Sequence, residues 1–440
     1  MIAASISLMR IANLQINHYK TVEKPIKITH FSNLHILIGP NNSGKTNILD
    51  AIEFLFSPDL DPSRFYDESA DLDIAVRLRS KDELKINFKN DRRTYLLNNK
   101  KTTGQNKQIR QAQERIIRIE PEMSLEKLIN QDLKIFKKYY KQTYCEFCQT
   151  LRDYFDDIEI SEKLFLENIY TDHRDRPLVR MGQGFRRLFI LLFYIFHPNY
   201  DIILIDEPEM HLHPAILKKL LRVLKDKKFN NQIFLTTHNS VFVQPATVEY
   251  VWRVARDKSG STQIYALCQS DFALNRNRLA QELNSDNTEM FFADKILLVE
   301  GVSDRIFMRG LINKFYQGEN DIKVIYAGSK SNIDIYINLC RAFNIPYAVM
   351  LDQDVLRGIR PELIKNILNK CNKTAYSGQI KILESKNVFI LDGDLEKSYP
   401  KKYQIKDTKP LNALYAAQMI TEADMRSRKM DVIRKLIASL

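Results

Sequence analysis

Residues 39–46 read GPNNSGKT and match the phosphate-loop pattern G-x-x-x-x-G-K-[ST] at every fixed position. The apolar run LHILI (34–38) precedes this stretch and NILDAIEFL (47–55) follows it, which predicts the strand, loop and helix that the motif requires. Glycines in such a loop let backbone N–H groups and the helix N-terminus point at phosphate oxygens. The sequence therefore predicts binding of a nucleoside triphosphate.

The predicted contacts of this loop follow from the pattern. Lys45 would reach the β- and γ-phosphates, and the hydroxyl of Thr46 would hold Mg²⁺. Asn42, Gly44 and Asn47 complete the nucleotide contacts expected of the loop and of the first helical turn. We therefore expect ATP and Mg²⁺ as cofactors.

Length and charge narrow the class of protein. A chain of 440 residues favours two or three domains. Its 66 Lys and Arg against 54 Asp and Glu give a net charge of +12, which favours polyanionic partners such as DNA. No run of apolar residues approaches the 18 that a membrane span needs, no signal peptide is recognisable, and the five cysteines form no paired C-x-x-C sets. We expect a reduced, cytoplasmic protein without a membrane partner.

A second motif completes the nucleotide site. The run DIILIDEP (201–208) predicts a buried parallel strand that ends in two carboxylates. Asp206 can hold Mg²⁺ through water, and Glu207 is placed to polarise the water that attacks the γ-phosphate. The run QIFLTTH (232–238) predicts another strand that leads to His238. Together the motifs resemble those of ABC-type ATPases of chromosome maintenance and recombination repair, and this resemblance implies that His238 contacts the γ-phosphate.

The same resemblance implies a shared site. In ABC-type ATPases a signature segment from the opposite subunit caps the γ-phosphate through the N-terminus of a helix. The stretch RMGQGFRR (180–187) resembles a Met-Gly-x-Gly variant of that segment, which leaves open whether Gly182 or Gly184 supplies the capping amide. The implied assembly is a homodimer or a higher homo-oligomer.

The chain organisation follows from changes in pattern along the sequence. Residues 1–280 form the predicted ATPase domain, with strand-like runs up to about residue 100. Charged, helix-like sequence at 105–175 is predicted as a helical insertion. The polar stretch 272–287 is the expected linker to a second α/β domain at 289–440. The fold class is therefore α/β.

The second domain carries a separate set of carboxylates. Glu300 follows the apolar run ILLV (296–299), and Asp304 stands in the next turn. Asp352 and Asp354 follow a second apolar run, YAVML (347–351). The carboxyl ends of parallel strands meet at one crevice, where these oxygen ligands suit Mg²⁺ or Mn²⁺. The combination resembles a Toprim domain with its parallel sheet flanked by helices.

An ATPase fused to a Toprim domain resembles the OLD (overcoming lysogenization defect) family of prokaryotic nucleases. The stretch AGSKSN (327–332) resembles the glycine–lysine loop of that family. The resemblance implies that Glu396 is a ligand of a second metal, with Asp394 as the alternative. It also implies that Lys409 stabilises the charge of the transition state, although the sequence fits a solvated surface lysine equally well. Glu207, Glu300, Asp352 and Lys409 are thus the expected catalytic residues.

The function implied is an ATP-regulated, metal-dependent DNA endonuclease or nickase in defence against phage or plasmids. One alternative is an ATP-dependent sensor or scaffold that assembles with a partner effector protein, with a non-catalytic Toprim region. Another is a repair factor that loads on DNA ends.

Overall fold

The computed structural model describes residues 9–56, 71–89, 92–123, 132–154, 169–171, 174–176, 181–226, 229–267, 283, 287–358, 360–370, 376–405 and 407–440. The chain divides into two compact units: Met1–Val243 with Glu249–Ile264, and Gln244–Val248 with Tyr265–Leu440. Most of the predicted linker at 272–287 lies outside the described residues. Within the described part of the chain, every helix is too short or too polar to span a bilayer.

The first unit contains two larger sheets with helices around them. Its strands are β1 (Ile11–Asn17), β2 (Ile26–Ile28), β3 (Leu34–Ile38), β4 (Leu72–Leu78), β5 (Glu83–Lys89), β6 (Arg92–Leu97), β7 (Lys100–Thr102), β8 (Ile116–Ile119), β9 (Ile169–Thr171), β10 (Arg174–Arg176), β11 (Ile202–Asp206), β12 (Gln232–Thr236), β13 (Val251–Arg256) and β14 (Thr262–Ala266). Its helices are α1 (Lys45–Phe56), α2 (Lys107–Gln113), α3 (Leu133–Tyr139), α4 (Lys141–Tyr154), α5 (Gln183–Phe196) and α6 (Pro214–Leu224).

The sheet that carries the phosphate loop has the order β14–β13–β3–β12–β11–β8. Strands β13, β3, β12, β11 and β8 pair in parallel. Every residue of β3, β11 and β12 is buried, as expected for parallel strands that are covered on both faces. Their polar side chains are therefore confined to the strand ends and to the loops that follow.

The other large sheet is antiparallel and has the order β2–β1–β4–β5–β6–β7, in which β4 to β7 form a meander. Buried and partly exposed residues alternate at the start of β4, which is the pattern of a strand with one face on the core. Helix α1 carries buried side chains along most of its length, and Tyr19 packs against Phe54 with ring centroids 5.5 Å apart.

The described residues of the segment predicted as a helical insertion contain helices α2, α3 and α4 but also strands β8 and β9. Helices α3 and α4 lie within 105–175, and Phe147 of α4 packs against Phe189 of α5. Residues 116–119, however, form strand β8, which pairs in parallel with β11. Strand β8 thus belongs to the sheet that carries the phosphate loop, where it pairs with the apolar strand β11 and Ile119 is fully buried.

The second unit is built around a parallel sheet with the order β16–β15–β17–β18. Its strands are β15 (Lys295–Val299), β16 (Ile322–Tyr326), β17 (Tyr347–Leu351) and β18 (Val388–Ile390). Its helices are α7 (Val302–Phe315), α8 (Ile333–Ala342), α9 (Glu362–Asn369), α10 (Tyr376–Glu384), α11 (Lys409–Met419), α12 (Glu422–Met425) and α13 (Asp431–Ser439). One apolar cluster joins the sheet to α7, α11 and α13.

Helices α7 and α11 approach each other closely at Gly310. A Cβ atom added to Gly310 would lie 2.7 Å from the Cβ atom of Ala417, which is too short for two carbon atoms. This pair of small residues therefore sets the distance between the two helices. The contact matters for the site below because α7 carries Asp304 and α11 begins at Lys409.

We expect Gly310→Ala to lower the free energy of unfolding by about 1–3 kcal/mol through overpacking. In an Ala417→Gly background the space is restored, so the same substitution should cost much less or become stabilising through the higher helix propensity of alanine. Chemical denaturation of the four proteins in this cycle measures the coupling. An identical cost in both backgrounds would contradict the proposed contact.

Candidate active sites

The phosphate loop lies between β3 and α1 and depends on two glycines. Gly39 has φ +142°, and an added Cβ would lie 2.0 Å from the carbonyl oxygen of Val254. Gly44 has φ +98°, and an added Cβ would lie 2.5 Å from Oγ1 of Thr262. A side chain at either position would push the loop away from its neighbours, so both glycines are required by the backbone and by the space around it.

The loop surrounds a cavity of about 530 Å³. Its lining includes the predicted nucleotide contacts Asn42, Gly44, Lys45, Thr46, Asn47 and His238, together with Thr21 and Arg256. The ammonium of Lys45 donates hydrogen bonds to the carbonyl oxygens of Gly39 (3.1 Å) and Pro40 (2.8 Å). Burial lowers the pKa of Lys45 to about 8, against the opposing charges of Glu207 and Glu209. A buried ammonium at the floor of a polar cavity suits a phosphate ligand.

Asp206 stands at the end of β11 in a network of charges. Its Oδ1 accepts a hydrogen bond from Oγ1 of Thr236 (2.6 Å), and its Oδ2 accepts one from Nη2 of Arg118 (2.5 Å). Arg118 also contacts Asp50 and pairs with Glu53 at 2.9 Å. Burial alone would lower the pKa of Arg118, but the contacts with Asp206 and Asp50 raise it overall. Arg118 thus fixes the carboxylate that is predicted to hold Mg²⁺.

Glu207 and His238 face each other beside the cavity. Oε1 of Glu207 lies 4.0 Å from Nε2 of His238, and both side chains are about 40% exposed. Burial, followed by the charge of Lys45, lowers the pKa of His238. The backbone N–H of His238 donates to Oε1 of Glu209 (2.7 Å), which holds the histidine loop against the segment after β11. An imidazole that lines the cavity and a solvent-accessible carboxylate beside it are side chains suited to proton transfer.

The two glycines of the signature-like stretch lie at the start of α5 and do not line this cavity. Gly182 is the N-cap and has open space where a Cβ would be, whereas a Cβ on Gly184 would lie 2.7 Å from the carbonyl oxygen of His211. Further along α5, Arg187 is buried and donates to the carbonyl oxygens of Asp206 (2.6 Å) and Glu207 (3.2 Å). The start of α5 is therefore tied to the end of β11.

The second candidate site lies at the carboxyl ends of β15 and β17. These strands pair in parallel through Ile296↔Tyr347, so Glu300 and Asp352, each one residue beyond its strand, leave the same edge of the sheet. Asp304 follows in the first turn of α7, where its Oδ2 accepts a hydrogen bond from the N–H of Gly301 (2.8 Å). The structure thus brings the predicted carboxylates to one edge.

Charges around Glu300 are only partly compensated. Oε2 of Glu300 is buried and accepts no hydrogen bond from the described residues. Nζ of Lys330 lies 3.7 Å from this oxygen and also contacts the carboxylate of Asp354. Burial raises the pKa of Glu300, and the charge of Lys330 opposes that rise.

Crowding of negative charge is strongest at Asp352. Burial raises the pKa of Asp352 to about 7, and the charges of Asp304, Glu300, Asp394 and Asp354 act in the same direction. Oxygen donors that repel one another in this way fit a hard divalent cation. Among the described residues, however, no three His, Cys, Asp or Glu side chains already stand together as a metal cage. The ligand set therefore stays a prediction.

Glu396 and Lys409 lie on the α7 side of this site. Oε1 of Glu396 is 3.5 Å from Nζ of Lys409, and the charges of both residues act on Asp304. Asp394 acts instead on Asp352 and pairs with Lys397 at 3.2 Å. Lys409 is 77% exposed, so its ammonium can reach a ligand from solution. The geometry places Glu396 and Asp394 beside different aspartates and keeps both as candidate ligands.

Several site residues were not identified from the sequence: Thr21, Arg118, Arg187 and Arg256. Arg118 interrupts the apolar run 116–119, and an isolated charge in such a run indicates a buried partner. Arg187 follows Arg186 directly, and the sequence does not indicate which of the two arginines is buried. Thr21 and Arg256 had no recognisable signal, because each reaches the cavity from a region that is distant in sequence from the phosphate loop.

We expect Asp352→Asn to stabilise the metal-free protein more at pH 8 than at pH 5. As pH rises, the unfolded chain loses the Asp352 proton at a lower pH than the folded protein does, because folding raises this pKa. The free energy of unfolding therefore falls from the ordinary pKa of 3.8 up to about pH 7, where the folded protein loses the proton as well. The gain at pH 8 should be of the order of 1–2 kcal/mol, because partial exposure screens the interaction. Thermal unfolding in chelator measures it; Asp321→Asn, at an exposed carboxylate of the same unit, is the control. An equal effect of Asp352→Asn at both pH values would contradict the assignment.

Comparison with protein families identifies both parts of the chain. Residues 34–78 and 57–244 match the family described as AAA domain, putative AbiEii toxin, Type IV TA system. Residues 291–354 match the TOPRIM domain of overcoming lysogenization defect protein-like proteins. These matches, with the observed parallel sheets, confirm the predicted α/β fold class.

Individual relatives agree with these families. The chain is 28% identical over 162 residues to the OLD nuclease of Thermus scotoductus, covering 35% of this chain and 31% of the relative. It is 22% identical over 192 residues to endonuclease GajA of Bacillus cereus, covering 37% of this chain and 27% of the relative. The aligned region thus spans less than a third of either relative. The SMC head domain from Thermotoga maritima aligns with a TM-score of 0.42 at 20% identity, covering 59% of this chain and all of that domain.

The predicted resemblance to the OLD family is confirmed by these matches. The chain contains an AAA-type ATPase domain and a C-terminal OLD-like Toprim domain, and it is homologous to the OLD nuclease and to endonuclease GajA.

Proposed function

We propose that this protein is an ATP-regulated, divalent-metal-dependent DNA endonuclease or nickase. The observation that carries the proposal is the convergence of Glu300 and Asp352 at the ends of paired parallel strands, with the pKa of Asp352 raised to about 7. Carboxylates held together against their repulsion are characteristic of sites that bind a divalent cation. The relatives are named as nucleases, which supports phosphodiester hydrolysis as the chemistry.

The roles of the Toprim residues follow from their positions. Glu300, Asp304, Asp352 and Asp354 would hold one cation, and Glu396 or Asp394 would contribute to a second. A divalent cation at this site supplies an activated water and neutralises charge on the scissile phosphate. Lys409, exposed and next to Glu396, can approach the phosphate from the solvent side and stabilise the charge of the transition state.

The ATPase unit would control cleavage. Lys45 would bind the phosphates, Thr46 and Asp206 would hold Mg²⁺, Glu207 would orient the attacking water, and His238 would contact the γ-phosphate. Lys45, Thr46 and His238 line the cavity, and Glu207 lies 4.0 Å from His238. Gly182 lies at the open start of α5, away from its own cavity, which suits a contact with nucleotide on a second copy of the chain. ATP would then join two heads, and its hydrolysis would release them.

The substrate and the biological setting are also part of the proposal. A net charge of +12 favours DNA, and the relatives' names indicate nuclease activity. Defence against phage or plasmids is the setting that the OLD resemblance implies, in the cytoplasm. The competing possibility, a sensor that assembles with a partner effector, would show ATPase activity without metal-dependent cleavage.

Incubation of the protein with supercoiled plasmid and Mn²⁺ or Mg²⁺ should give nicked or linear DNA. We expect Glu300→Gln and Asp352→Asn to reduce the rate at least about a hundredfold, because each removes a charged metal ligand. Asp321→Asn serves as the matched control and should cleave at the wild-type rate. Equal cleavage by the wild-type protein and both site variants would refute the nuclease proposal.

We expect Lys45→Ala to abolish ATP hydrolysis and to make plasmid cleavage insensitive to added nucleotide. We expect this because the substitution removes the buried ammonium at the cavity, which is predicted to bind the phosphates. Cleavage rates with ATP, with a nonhydrolysable analogue and without nucleotide measure the effect, beside Lys24→Ala at an exposed ion pair of the same unit. Cleavage by Lys45→Ala that still responds to ATP like the wild type would contradict regulation through this site.

A further inference from the structure

Lys330 lies on the loop after β16, at the same edge of the sheet as the carboxylates. Strand β16 pairs in parallel with β15 through Val299↔Tyr326, so the loop begins beside Glu300. Gly328 has φ +74°, a left-handed conformation that turns the chain after the strand. Lys330 then begins a short 3₁₀ turn, Lys330–Asn332, which leads into α8.

Hydrogen bonds of neighbouring side chains hold this turn independently of the lysine side chain. Nδ2 of Asn332 donates to the carbonyl oxygen of Ala327 (3.0 Å), and the hydroxyls of Ser329 and Ser331 lie 2.9 Å apart. The Cα of Lys330 is therefore held in place, while its four-carbon side chain retains the rotamers of a lysine. Movement of the ammonium requires no change in the fold.

The ammonium of Lys330 lies among groups that are predicted to bind metal. It contacts Asp354 and lies 3.7 Å from the buried Oε2 of Glu300, an oxygen without a hydrogen bond from the described residues. The charge of Asp352 also acts on it. Only 17% of the Lys330 side chain is exposed, whereas 66% of the Asp354 side chain is exposed. The lysine is thus drawn inward to the carboxylates.

We propose that Lys330 is a tethered counter-cation that occupies part of the Toprim metal site and that a divalent cation must displace it from Glu300 and Asp354. This inference rests on the proposed function, because it assumes that these carboxylates bind metal. An ammonium has no lone pair and cannot serve as a ligand, so it competes with the metal for the same oxygens. Charge repulsion between the Lys330 ammonium and a divalent cation bound to the same oxygens also opposes their joint binding.

The arrangement has a consequence for the regulation of cleavage. Without metal, Lys330 offsets the repulsion among the carboxylates and keeps them at the sheet edge. With metal, the ammonium is released toward solvent, where it can attract a DNA phosphate. Lys330 therefore lowers metal affinity while it preserves the geometry of the ligands, and we class it as a positioning residue.

Direct metal binding tests this inference without reliance on cleavage. Titration of nucleotide-free protein with Mn²⁺, followed by the electron paramagnetic resonance signal of free Mn²⁺, reports the Toprim site. We expect Lys330→Met to bind Mn²⁺ about tenfold more tightly than the wild type or better, because the competing charge is gone. Lys330→Arg, which keeps the charge, should stay near or below the wild-type affinity, and Lys323→Met, which removes an exposed charge from β16, should stay at the wild-type affinity.

The outcomes separate this inference from the proposed function. Unchanged or weaker Mn²⁺ binding by Lys330→Met, with Asp352→Asn still reducing binding in the wild-type background, overturns the role of Lys330 and leaves the metal site intact. If neither the wild type nor Lys330→Met has a Mn²⁺ site that depends on Asp352, both the role of Lys330 and the proposed metal-dependent function are overturned. Lys330→Gln provides a second neutral variant. Thermal unfolding of each protein verifies that it is folded. Tighter binding of Mn²⁺ by the folded neutral variants supports the inference.

Discussion

A parallel strand that is buried on both faces can present polar side chains only where it ends, and both sites of this protein depend on that constraint. Strands β3, β11 and β12 are buried along their whole length, and β15 and β17 are buried except at their first residues. Hydrogen bonding between parallel neighbours aligns their carboxyl ends. In the first unit, one edge of the sheet therefore carries the phosphate loop, the carboxylates after β11 and the histidine after β12. In the second unit, one edge carries the Toprim carboxylates.

Carboxylates that lie together at one edge of a sheet repel one another. In each unit a basic residue from another strand or loop pairs with them and reduces this repulsion. In the first unit Arg118 joins Asp206, Asp50 and Glu53. In the second, Lys330 pairs with Glu300 and Asp354, while the pKa of Asp352 stays raised. The negative charge is thus more fully compensated at Asp206, which contacts Arg118, than at Asp352, whose pKa is raised to about 7 by burial and by the neighbouring carboxylates.

The sequence predicted the strands next to the motifs because each contains a short, mainly apolar run that leads directly into motif residues. The positions of Asp206, Glu300 and Asp352 at strand ends followed from those runs, and the position of Lys45 at the start of α1 followed from the phosphate-loop pattern. Strand β8 could not be predicted in this way, since four residues within charged, helix-like sequence become a strand only through pairing with β11. The partners of Arg118 and Lys330 depend on strand order, and local pattern carries no information about strand order.

The first site has an arginine among its carboxylates and the second has a lysine, and these two side chains differ in how firmly they are held. Arginine presents several donors in a planar fork, and Arg118 uses them to contact three carboxylates at once, so releasing it would break several ion pairs together. Lysine presents a compact charge on a flexible stem, and Lys330 is held at one direct contact and one longer one. Arg118 thus makes Asp206 part of a fixed scaffold for the nucleotide, whereas Lys330 can leave Glu300 without disturbing the strands that position it. A site that gains and loses its cation needs the second arrangement, because the ligands must stay in place while the charge between them is exchanged.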